Sequence, residues 1–311
     1  MSNKRLQPKG TSVNIRSGQL RKLWLLYALF SLACLLLFWQ PVETVAQLCL
    51  RNENASHIAL IPLISGWLLL TDSRKLSPPD KPDFAASLSG FLPALLVAFL
   101  CWRWNALSPS TKLAGYILAL IFALAGGFAA TWGLAELKKR WFPFAFLLFA
   151  VPLPDFLLNR IIYALQSGSA AVTESIFDLT GVPALREGFV FHLPRVSIEI
   201  AQECSGIRSS IALLILAVLV SHFAFRPFWK KAAFVCAGLA MMVIKNGIRI
   251  STLTLLALYV DPGFLFGKLH RQGGFLFFLL GLALLLPVFW LLRRGEKAPK
   301  REAPAVQGKI E

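Results

Sequence analysis

Apolar runs of about twenty residues recur along this chain, separated by polar stretches rich in Lys and Arg. A hydrocarbon core about 30 Å thick is crossed by roughly 20 apolar residues in an α-helix. Lipid offers no partner to an unpaired N–H or C=O, so runs of this kind fold as spanning helices. Eight spans are expected: Leu23–Trp39, Ala55–Leu70, Leu88–Trp104, Leu113–Leu134, Trp141–Leu158, Ile207–Phe225, one that starts at Ala232, and Phe275–Leu292. The second contains Pro62, and the fifth contains Pro152 and Pro154. The expected fold class is an all-α polytopic membrane protein of about eight transmembrane helices. The first run is read as a span, because further spans continue it and no small-x-small cleavage site follows.

Composition agrees and narrows the function classes. The 311 residues carry 32 Lys+Arg against 16 Asp+Glu, yet only 15% are charged and 56% are hydrophobic, with a mean hydropathy of +0.63. A soluble nucleic-acid binder would show its excess charge as a high charged fraction, so no nucleic-acid partner is expected. Of the 32 positive residues, 21 lie in 1–22, 72–87, 135–141, 226–231 and 293–311. Positive residues collect on the cytoplasmic side, so these segments read as inner ones and both termini as cytoplasmic. The expected organisation is a tail over 1–22, one membrane domain over 23–292 and a second tail over 293–311. The charge excess orients the spans and meets anionic lipid headgroups.

The outer segment 154–206 is the longest polar one. Asp155–Thr180 reads as an amphipathic helix with Phe156, Leu157, Ile161, Ile162 and Leu165 as its apolar residues and Gly181 as its stop. Phe189–Phe191 and Val196–Ile200 alternate or are β-branched, and Pro194 splits them, which predicts a short hairpin.

Candidate chemistry gathers at one depth. No C-x-x-C occurs and no Cys lies near a His, so no metal or cofactor is expected. Cys34, Cys101 and Cys236 lie inside apolar spans and read as small hydrophobes. Cys204 differs. It stands in Gln202-Glu203-Cys204-Ser205-Gly206-Ile207-Arg208, where a polar segment enters the sixth span. A helix N-terminus and a nearby guanidinium both favour the thiolate, and Arg208 lies one turn further on. Charged residues inside spans are costly and mark function. Lys245, Asn246 and Arg249 lie in the seventh span, and Arg249 is about 25 Å along it from Ala232, near the outer boundary. His270 precedes the eighth span at that same boundary.

Glu203-Cys204-Ser205-Gly206-Ile207-Arg208, the N-x-x-R pair Asn246 and Arg249, and the late H-x-x-G of His270 and Gly273 resemble the exosortase/archaeosortase family of integral membrane cysteine transpeptidases. The resemblance implies that Cys204 is the nucleophile and that Arg249 and His270 complete the catalytic group. A His at the third position is similar to the bacterial branch. The implied substrates are exported proteins bearing a short C-terminal motif, a transmembrane helix and a basic tail. Cleavage is implied on the outer face of a bacterial cytoplasmic membrane, with transfer to an unspecified amine. Arg208, Asn246, Glu203, Arg195 and Arg186 are the candidate substrate-binding residues. The competing expectation is a transporter or channel whose buried charges line a path. Sequence signatures of other intramembrane proteases, such as G-x-S-G and H-E-x-x-H, do not occur.

Overall fold

The computed structural model describes residues 9–71, 76, 84–194, 196–202, 206–265, 267 and 273–294, and among these helices dominate. In chain order they are α1 Lys9–Leu37, α2 Trp39–Arg51, α3 Leu60–Thr71, α4 Phe84–Arg103, α5 Pro109–Trp132, α6 Leu134–Lys139, α7 Trp141–Phe146 and α8 Asp155–Thr180. Three strands follow, β1 Leu185–Glu187, β2 Val190–His192 and β3 Ser197–Glu199, then α9 Ile207–Ala224, α10 Phe228–Tyr259 and α11 Gly274–Arg293. The chain divides into two compact units at Arg160.

In the first unit, Ser108 caps α5 by accepting from the Thr111 N–H at 3.2 Å, and Pro109 opens the helix where a missing N–H costs nothing. Gly133, at φ 82°, ends α5. α4 lies against α5 at Gly90, where a Cβ would stand 2.4 Å from the Gly126 nitrogen. Small residues permit this backbone approach, as between spanning helices generally. Trp24, Tyr27, Phe128 and Trp132 form the aromatic part of the core, with Tyr27 edge-on to Phe128 at 5.5 Å. Glu136 is buried and pairs with the buried Arg140 and, at 2.7 Å, with the exposed Lys139.

In the second unit α8 ends as the sequence predicts. The Val182 N–H donates to Phe177 O at 2.9 Å and the Gly181 N–H to Asp178 O at 3.2 Å, with Gly181 at φ 69°. That pair of bonds closes a Schellman turn, which needs a residue free of the Cβ penalty at Gly181. The strands form an antiparallel sheet in the order β1-β2-β3, with Glu187 opposite Val190 across the two-residue turn Gly188-Phe189. Phe191 and Ile198 are buried in a cluster with Phe177, which meets Phe191 edge-on at 5.6 Å. The expected hairpin is therefore β2–β3, and β1 adds a third strand.

Among the described residues six helices are long and apolar enough to cross a membrane: Gly18–Leu37, Ala85–Arg103, Pro109–Trp132, Ile207–Ala224, Phe228–Tyr259 and Gly274–Arg293. The count rises to seven if the bent pair Trp141–Ala150 and Asp155–Thr180 is one span. The expectation of eight is not reached, and the runs that fall short are Ala55–Leu70 and Trp141–Leu158. α3 has 12 residues, about 18 Å of helix, too little for a hydrocarbon core. In the fifth run, Pro152 and Pro154 supply no N–H and push the residues before them out of helical geometry, so the helix breaks before Asp155. Conversely, α10 has 32 residues, about 48 Å, longer than a bilayer core is thick.

Candidate functional site

Within the second unit, α8 and α10 meet across glycine. A Cβ on Gly168 would stand 2.7 Å from Val243 Cγ1, and one on Gly247 would stand 2.5 Å from Val172 Cγ1. At this contact α8 turns a polar stripe inward: Gln166, Ser169 and Thr173 are buried, while Phe156 and Leu157 are exposed. Asn246 on α10 is buried and donates through Nδ2 to Ser169 Oγ at 3.0 Å. Thr173 Oγ1 donates to Ser169 O at 2.8 Å and reaches Gly247 O at 3.4 Å. The buried Ser169 and Thr173 hydroxyls and the Asn246 amide N–H group are thus engaged in hydrogen bonds, as burial favours.

The segment that bears Cys204 is held on this seam at both ends. On one side Gln166 Nε2 donates to Ile200 O at 2.8 Å. On the other, Gly206 caps α9 at φ 68° and lies against α10, so that a Cβ there would be 2.7 Å from Asn246 Oδ1 and 3.6 Å from Lys245 Nζ. Both the left-handed backbone and the lack of space demand glycine at this position. Ser209 Oγ donates back to Gly206 O at 3.0 Å, and Lys245 Nζ donates to Ser209 Oγ. Five residues, 201–205, separate the two anchors.

Arg249 lies three residues beyond Asn246, on the same side of α10. It lines a cleft of about 50 Å³ with Ile198, Ile200, Leu253 and Thr254. Arg208, on the first turn of α9, is exposed. Arg186 is engaged within the sheet: it pairs with Glu174 at 2.7 Å, donates to Gly188 O at 3.0 Å and lies over the Phe191 ring at 5.9 Å. The candidates Cys204, Glu203, Arg195 and His270 lie outside the described residues. The flanking Gly206, and Gly273 at the start of α11, are described.

Among the described residues four cysteines are free thiols: Cys34 and Cys101 are buried, Cys49 is half-buried and Cys236 is exposed. Burial pushes the Cys49 thiol up, the opposite of what a nucleophile needs. Among the described residues no group of three His, Cys, Asp or Glu is placed to hold a metal. Sequence reasoning passed over Gln166, Ser169, Thr173 and Ser209. The signal for the first three was available, since polar residues at i, i+3 and i+7 of an apolar helix share a face.

Fold and seam together define a multi-pass helical membrane protein with a buried polar site between helices. The transmembrane exosortase family model (Exosortase_EpsH) matches residues 49–287, more than three-quarters of the chain, and the protein belongs to that family. No curated protein and no solved structure matched the chain. Members are in general membrane cysteine peptidases or transpeptidases that act on exported proteins with C-terminal sorting signals.

Proposed function

We propose that this protein cleaves the C-terminal sorting tail of exported proteins through a thioester on Cys204, at the outer face of a bacterial cytoplasmic membrane. The observation that carries the reading is the seating of Ile200 and Gly206, which flank Cys204 in sequence, on one buried seam. Gln166 on α8 holds Ile200, and Asn246 with Lys245 on α10, the helix that bears Arg249, meets Gly206. A buried seam of this kind fixes a nucleophile relative to its partners, which is where most positional catalysis comes from.

His270 takes the thiol proton as the Cys204 sulfur attacks the scissile carbonyl carbon. The C=O π electrons move to oxygen, and the Arg249 guanidinium stabilises that oxyanion. Collapse breaks the C–N bond, and His270 returns the proton to the departing amine. A second amine then attacks the thioester and regenerates the thiol, or water does so, giving transfer or hydrolysis respectively. Arg249 suits the oxyanion role because it lines the cleft beside Ile200. Arg208, exposed on α9, suits the docking of an acidic residue of the substrate motif, with Arg195 and Glu203 nearby in sequence. The distribution of Lys and Arg supports cytoplasmic termini, which any even number of spans allows.

Co-expression with a tailed substrate, followed by mass analysis of its new C-terminus, tests the proposal. Cys204→Ala is expected to leave the tail uncut. Normal processing by that variant would overturn the nucleophile assignment.

A further inference from the structure

One side of β3 is open to hydrogen bonding. The Ile200 N–H donates to Phe189 O at 2.9 Å and the Leu193 N–H to Val196 O at 3.0 Å. With the register of β2 on β3, these bonds make Phe189–Ile200, Phe191–Ile198 and Leu193–Val196 the hydrogen-bonded pairs. His192–Ser197 and Val190–Glu199 alternate with them, so the N–H and C=O of Ser197 and Glu199 point away from β2. β3 is the last strand of its sheet. Among the described residues the backbone bond on that side is a local one, from the Ala201 N–H to Glu199 O at 3.0 Å. The Ser197 N–H, the Ser197 C=O and the Glu199 N–H are left over. An edge with such groups is a template for another extended chain.

The cleft beside Arg249 runs along this edge. Successive side chains of a strand face opposite ways, yet Ile198, Glu199 and Ile200 all line the cleft, so the β3 backbone itself forms one wall. Leu253 and Leu265 make the other side apolar, and Arg249 shares the cleft with Glu199. The wall is held in place, because Ile198 is packed in the cluster of Phe177 and Phe191 and Ile200 O accepts from Gln166. Unused main-chain groups and an apolar recess about 50 Å³ in volume thus lie side by side.

We propose that the outer edge of β3 is the docking site for the exported substrate, which binds there as an extended segment and adds a strand to the sheet. The inference rests on the reading above for the identity of the occupant. The family acts on exported proteins with C-terminal sorting signals. A polypeptide is also the partner whose donors and acceptors repeat at the spacing of a strand. In antiparallel addition one substrate residue exchanges two bonds with Ser197, and the residue two positions earlier accepts from the Glu199 N–H. The residue between them stands opposite Ile198 and directs its side chain to the Ile198 face, into the recess beside Leu253 and Leu265. Main-chain bonds then supply affinity, and the recess selects a small apolar side chain.

The test uses the full chain in membranes, with an exported protein whose tail it cuts in the processing assay. The photoreactive residue benzoylphenylalanine in place of Ser197 is expected to crosslink to that protein at residues beside the cut bond, as mapped by mass analysis. The same group in place of the exposed Leu185, on the opposite edge of the sheet, is expected to give no such adduct. Ser197→Pro removes an N–H that the β2–β3 ladder does not use, and edge strands accept proline at such positions. KM for the tailed protein should rise about tenfold with kcat kept, the effect of losing one hydrogen bond of binding. An unchanged KM in folded Ser197→Pro protein overturns the proposal. So does a Ser197 probe that labels a second copy of this chain, or nothing, instead of the tailed protein. The crosslinking arm stands by itself if Ser197→Pro does not fold. Crosslinking needs no cleavage, so the Ser197 probe is also placed in the Cys204→Ala protein. A crosslinked tail that is still cut there would remove the nucleophile assignment and keep the docking site. An uncut tail without a crosslink would do the opposite.

Discussion

Charge is buried in both units, and the two arrangements are opposites. Glu136 and Arg140 sit one helical turn apart and neutralise each other, with Lys139 as a third partner. Lys245 and Arg249 are also one turn apart, but carry the same sign. The first arrangement joins opposite charges within one short helix and its C-cap. The second holds Lys245 on the Ser209 hydroxyl and places Arg249 in a cleft with Ile198 and Glu199.

Several substitutions can break that contrast. The largest effect is expected at Arg249→Ala, where kcat falls about 10²–10³-fold through loss of an oxyanion partner. Arg208→Ala is expected instead to raise KM with kcat kept; equal kinetic patterns in the two variants would remove the division of roles between them. Next comes Glu136→Gln, which removes the carboxylate that Arg140 and Lys139 share and costs about 3–5 kcal/mol in thermal or denaturant unfolding. Its turnover per folded molecule should be that of the parent. Lys245→Met should do the reverse, holding or raising the unfolding midpoint while turnover falls. A loss of stability there comparable to that of Glu136→Gln would erase the distinction.

The glycine contacts sharpen it further. Gly90→Ala drives a Cβ into the α5 backbone, so about 3 kcal/mol of stability is lost with little change in specific activity. Gly247→Ala meets mainly the movable Val172 side chain and should cost about 1–2 kcal/mol, yet lower specific activity by displacing Asn246. Measured abundance and turnover per folded molecule separate the two cases. The smallest effect belongs to Glu174→Gln in the half-exposed pair with Arg186, within about 1 kcal/mol.

The parts legible in the sequence are those with local signals. Gly181 announces the end of α8 because a Schellman turn is built from neighbours in the chain, and the long apolar runs announce their own spans. The polar residues of α8 were harder to place. Phe156 and Leu157 look like the buried face by the rule that serves water-soluble helices, but in a membrane the apolar side is free to face outward. Gln166, Ser169 and Thr173 need hydrogen-bond partners that only another helix supplies. Which helix that is depends on Gly168 and Gly247 meeting Val243 and Val172, a pairing that no local pattern encodes. β1 escaped for a different reason: Leu185-Arg186-Glu187 has no apolar alternation, and its place in the sheet depends on Arg186 finding Glu174 and Phe191.

The two anchors at Ile200 and Gly206 also govern how this protein can change over generations. The positions between them can exchange side chains far more readily than they can change in number. One inserted residue adds up to about 3.5 Å of slack to a tether fixed at both ends. A displacement of only about 1 Å can cost 10²-fold in rate when it spoils alignment. Descendants of this chain are thus expected to vary the lettering of residues 201–205 while keeping the count at five.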